Sequence, residues 1–162
     1  MTVVSTQQDT ERLTLTIVAE LAAAPERVWD LWADPRQLER WWGPPTWPAT
    51  FVEHDLVPGG RSHYVMTGPD GEQAHGWWEV LEVDPPRGLR FRDGFADETG
   101  APNPELPTTT GRVELVGSAD GTRMTVTTEF GTAEHMEQLA AMGMVEGMTS
   151  AMGQMDGLLV PA

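Results

Sequence analysis

The side chains able to carry acid–base or nucleophilic chemistry are few: four histidines, one tyrosine, a surplus of carboxylates, and no cysteine. His54, His63, His75 and His135 are scattered, and no two stand at the helical spacing of a zinc-binding H-E-x-x-H segment. Ser62 and His63 are adjacent, but neighbours along a strand point to opposite faces, so they form no nucleophile–base dyad. A G-x-S-x-G turn is also missing. Glu53-His54-Asp55 has the residue types of a metal site, but alternation separates them, and they read as solvated polar groups near a strand end. Tyr64 and His63 are weak catalytic candidates. With His75, Arg112 and Asp93 they have the chemistry for a cyclase- or hydrolase-type reaction, yet no spacing brings two of them together. Binding is therefore expected ahead of catalysis, with no metal and no cofactor.

The 162 residues are about one domain's worth. All ten basic residues are arginine, which removes a Schiff-base lysine and the lysine of a phosphate-binding loop. Without cysteine there are no disulfides, thiolate zinc sites or iron–sulfur clusters. A net charge of −15 argues against nucleic acid and anionic membrane surfaces as partners, since both need cationic counter-charge. Met1 to Asp9 shows no signal-peptide pattern, and no stretch approaches the roughly 20 apolar residues of a membrane span. A cytoplasmic location is expected.

The elements that must position any site follow from periodicity and turn chemistry. Residues 1–11 read as a loose tail before a single domain over 12–162. Leu13, Leu15, Ile17 and Ala19 alternate with mostly polar partners, as on a strand with one buried face. Pro25-Glu26 and Asp34-Pro35 each open a short helix, the second running through Leu38 to Trp42, where Gly43-Pro44-Pro45 stops it. Strands are then expected at 51–56, 61–67, 74–83, 88–95, 109–117 and 122–130, separated by Gly, Pro and Asp turns. Residues 96–108, with three prolines, read as an exposed loop over one end of the sheet. A Thr132 cap opens a long amphipathic helix to about Val160.

Seven tryptophans and nine methionines dominate the apolar inventory. Folding the hairpin about Pro85-Pro86 places Trp77, Phe91 and Phe95 on one face, while Met144, Met148 and Met152 share one side of the last helix. Trp41 and Trp42 flank the rigid Gly43 turn. Together these form an expected apolar ligand wall, adaptable on its methionine side, with Tyr64 and Arg112 as polar anchors.

The chain resembles the activator of heat shock protein 90 ATPase homologue family, within the START-like (SRPBCC) superfamily of polyketide cyclases, lipid-transfer domains and the birch pollen allergen. The resemblance rests on Val28-Trp29 with Trp32, Trp41-Trp42-Gly43-Pro44, Val57-Pro58-Gly59-Gly60-Arg61, Glu82-Val83-Asp84-Pro85-Pro86, Asp93-Gly94-Phe95, and Met142 to Met148. It implies an α+β helix-grip fold: a curved antiparallel sheet of about seven strands wrapping a long C-terminal helix, with two short helices after strand one. It also implies a cavity between sheet and helix. A small hydrophobic molecule is the expected partner of a monomer or homodimer. A chaperone is a second candidate partner, through the family's namesakes.

Overall fold

The computed structural model describes residues 3–159. Eight strands form one antiparallel sheet: β1 (Val3–Asp9), β2 (Thr14–Leu21), β3 (Ala49–His54), β4 (Arg61–Thr67), β5 (Gln73–Asp84), β6 (Gly88–Ala96), β7 (Thr109–Ser118) and β8 (Gly121–Phe130). Their spatial order is β1-β2-β8-β7-β6-β5-β4-β3. Five helices complete the chain: α1 (Pro25–Ala33), α2 (Pro35–Leu38), α3 (Ala133–Ala141), α4 (Met144–Gly153) and α5 (Met155–Leu159). This is the helix-grip arrangement, with one strand more than expected.

The extra strand is β1. Val3–Asp9 lies where a loose tail is expected, because its residues are polar and mostly exposed, which hides the period-two signal. It pairs with β2 at the sheet edge, and main-chain hydrogen bonds rather than an apolar face hold it there.

Elements with one buried face form as their patterns require. In β2, Leu15, Ile17, Ala19 and Leu21 are buried and face the same side as Met124 and Val126 of β8. Pro begins α1, whose Val28, Trp29, Leu31 and Trp32 are buried. The Asp34 side chain accepts from the Arg36 N–H to cap α2, and Thr132 accepts from the His135 N–H to cap α3.

The expected single C-terminal helix is broken in two places. Gly143 takes φ 85°, a left-handed conformation that ends α3 and re-aims α4, and a further break at Gln154 separates α5. Three shorter rods follow the curved sheet where one straight rod would leave it. Only Ala151 and Met152 of α4 are buried, while Met144, Val145 and Met148 are half-buried. These three still pack against the core, and Met144 and Met148 also border open space between α4 and the sheet.

Two bulges decide which side chains face that gap. One in β5, between Val80 and Glu82, puts Val83 opposite Leu89 but Trp78 opposite Asp93. Trp78 therefore turns inward and Trp77 outward. A second in β3, between Phe51 and Glu53, brings both Phe51 and His54 to the inner face.

Candidate functional site

Between the inner face of the sheet and α4 lies a cavity of about 390 Å³, within the usual size range of small-molecule sites. One wall is the segment after α2. Trp41 is held by its indole N–H donating to the Leu31 carbonyl at 2.8 Å, and stands edge-on to Trp32 with ring centres 4.7 Å apart. Trp42 packs edge-on against Tyr64 and Trp78, at 5.6 and 5.0 Å. The Gln154 amide donates to the Gly43 carbonyl at 2.7 Å, tying this aromatic wall to the end of α4. Trp47 closes the same side.

The floor is the sheet. Phe91 and Phe95 of β6 line it, and Phe91 stacks on Trp78 with ring centres 4.0 Å apart. Gly111 of β7 makes room for the Phe91 ring, because a Cβ there would lie 2.9 Å from Phe91 Cζ. Gly76 of β5 does the same for Tyr64, whose ring occupies the space of the missing side chain. The roof is Met144, Met148 and Met152, with Gly147 among them and no atom within 4 Å of where its Cβ would stand. Pro107 brings the loop between β6 and β7 to the rim.

A polar pair stands in these apolar surroundings. The Tyr64 hydroxyl donates to Asp93 Oδ1 at 2.8 Å. Asp93 lies deep in the sheet, yet keeps some accessible surface, and it is a lining residue of the cavity. Among the described lining residues it is the one carboxylate, and no arginine joins it. Burial pushes its carboxyl from 3.8 up to about 7, against the opposing pull of the Tyr64 hydroxyl and the Gly94 N–H. The same burial, and then the neighbouring Asp93 charge, raise the Tyr64 phenol well above its ordinary value, so it stays a donor.

Of the ten expected ligand-wall residues, Trp41, Trp42, Tyr64, Phe91, Phe95, Met144, Met148 and Met152 line the cavity. Trp77 and Arg112 do not. The β5 bulge sends Trp77 to the outer face, where its indole covers Gly94. Arg112 alternates with inward Val113 and is exposed on the outer face, so it anchors nothing inside.

His63 is separated from Tyr64 by the same alternation. It pairs in register with outward Trp77, and its Nε2 lies 2.9 Å from His75 Nδ1. Burial, and then the like charge of His75, lower its basicity. It has no place beside the cavity acid.

His54 is not a solvated end group. Its Nε2 lies 3.0 Å from the Trp32 carbonyl, which can only accept, so Nε2 carries the proton and Nδ1 accepts from the Ser62 hydroxyl at 2.7 Å. Burial lowers its basicity, and the neutral ring serves as a link between α1 and the sheet. Among the described residues there is no group of three or more His, Cys, Asp or Glu side chains placed to hold a metal ion. No described helix is long and apolar enough to cross a membrane.

Asp93 is the residue that sequence reasoning undervalued. Its signal was a carboxylate at an inward position of an otherwise apolar series, Leu89, Phe91, Asp93 and Phe95.

The family model described as "Activator of Hsp90 ATPase homolog 1-like protein" matches residues 22–160. The chain belongs to this family. Among solved structures it is similar to protein Ms6760 from Mycobacterium smegmatis, at 49% identity over 99% of this chain and 98% of that one, with a TM-score of 0.91. A protein from Arthrobacter aurescens solved by NMR shares 53% identity over 96% of this chain and 90% of that one, with a TM-score of 0.92. An AHSA1 protein from Silicibacter pomeroyi, at 24% identity, 90% and 96% coverage and a TM-score of 0.72, shares the fold. A search of curated proteins finds no match.

Proposed function

We propose that this chain binds a small apolar or aromatic molecule in the cavity between the sheet and α4. The observation that carries the reading is the cavity's composition: tryptophan, phenylalanine and methionine walls around a single hydrogen-bonded acid pair, Asp93 with Tyr64. Apolar area supplies affinity in such a site, and the few polar groups fix orientation. The methionines and the glycines of α4 let the roof adjust to ligand shape.

Acid–base catalysis of the cyclase or hydrolase type is a second reading, favoured by one observation. An acid raised to about 7 can give or take a proton near neutral pH, and it faces the space a substrate would fill. Chaperone activation, by contrast, rests on the family's description alone.

Titration with naphthylethanol, a neutral aromatic alcohol, tests the binding reading. Because Trp32, Trp41, Trp42 and Trp47 line the cavity, occupancy is expected to change intrinsic tryptophan emission saturably. An emission that never saturates, or never moves up to the solubility limit of the probe, contradicts the reading.

A further inference from the structure

We infer that the cavity selects protonated apolar amines, with the ammonium group on Asp93 and the hydrocarbon or aryl body between the tryptophan wall and the methionines of α4. This deepens the ligand-binding reading and rests on it.

Tyr64 occupies Oδ1 through a neutral hydroxyl, and among the described residues Asp93 has no ion-pair partner. The chain has no lysine, and six of its ten arginines (Arg12, Arg36, Arg87, Arg90, Arg92 and Arg123) form ion pairs with other carboxylates. The groups facing Asp93 from the packed elements are uncharged. Tyr64 on β4 bonds it, Thr109 on β7 stands opposite it in register, and Thr128 on β8 and the methionines of α4 line the same cavity. His75 of β5 also borders the cavity, but it lies on the outward register of β5 with Trp77, where its ring meets His63 rather than Asp93.

A buried carboxylate without a cation is unfavourable, and a ligand that carries the cation in removes that penalty. The walls supply a second preference. Tryptophan, tyrosine and phenylalanine faces attract a cation through their ring quadrupoles, most strongly where water is excluded. The net charge of −15 draws cations toward the protein from a distance and disfavours anions. A neutral hydrogen-bond donor would satisfy the carboxyl oxygen but would gain neither effect.

The test compares two probes that differ in the terminal group, naphthylethylamine and naphthylethanol, by tryptophan emission at about pH 6 and about pH 8, either side of the Asp93 transition. The amine remains protonated at both. The amine is expected to bind about tenfold or more tightly than the alcohol at the higher pH, a margin of the size that cation–π and ion-pair contacts supply when desolvated. The margin should shrink at the lower pH, where the carboxyl is protonated. Asp93→Asn should erase the margin by weakening amine binding selectively, and its thermal melt reports that the fold persists. Equal binding of the two probes, or a margin that survives Asp93→Asn, overturns the inference while leaving the ligand cavity standing. No binding of either probe overturns both.

Discussion

Asp93→Asn is expected to make the protein more stable at about pH 8, by a few kcal/mol. The folded-state carboxyl is raised from 3.8 to about 7, so between those values the folded chain holds a proton that the unfolded chain has released. Stability therefore falls as pH rises from about 4 to about 7, and the full loss persists above that. The rise from 3.8 to about 7 sets an upper bound of about 4 kcal/mol. Asparagine keeps an oxygen to accept from the Tyr64 hydroxyl and carries no charge to bury. For a chain of this size, the variant should melt roughly 5–10 °C higher at about pH 8 and match the parent near pH 4. His54 acts in the opposite sense. Its lowered folded-state basicity costs stability as pH falls below about 6.5, so the difference between parent and variant isolates Asp93. Equal melting temperatures at the higher pH would show that Asp93 is not ionised at a cost. A residue whose removal stabilises the fold is one kept for binding or catalysis.

Met148→Trp is expected to weaken probe binding sharply while leaving the fold intact. Met148 is half-buried in α4 and faces the cavity, so an indole there projects into space that is already empty. Overpacking a filled core costs about 1–3 kcal/mol, but a cavity of this volume accepts the added atoms with little of that strain. Naphthylethanol affinity should fall at least about tenfold, equivalent to about 1.4 kcal/mol, with a thermal midpoint close to the parent's. Unchanged affinity in a folded variant would place the ligand elsewhere.

How far the molecule could be read from its residues depended on whether local pattern and tertiary geometry agreed. Where one face is buried and pairing is regular, as in β2, β7 and β8, the strands were legible from alternation and turn residues, and in β2 the buried face as well. Asp34 and Thr132 announced their caps by residue type and position. A bulge, in contrast, has no clear mark in the sequence. The one in β5 reverses Trp77 and Trp78, and the one in β3 turns His54 from an expected solvated end group into a half-buried link. β1 was hidden because its hydrogen bonds belong to the backbone and its side chains to solvent. The break at Gly143 lies inside a pattern that is amphipathic throughout, so periodicity runs through it although the glycine takes a left-handed conformation there. Eight of ten expected wall residues reach the cavity because apolar inward faces are legible. The Tyr64–Asp93 pair was not, since it joins residues 29 apart across an intervening strand.

The most direct test of a ligand cavity under α4 is the response of methionine methyl resonances to added naphthylethanol. Methionines occur both around the cavity and away from it. Met66, Met142, Met144, Met148 and Met152 line it, whereas Met124, Met136 and Met155 are buried elsewhere in the core. Saturable shifts confined to the first group are the predicted result. Shifts in the second group alone, or none in either, would contradict the assignment of this cavity as the binding site.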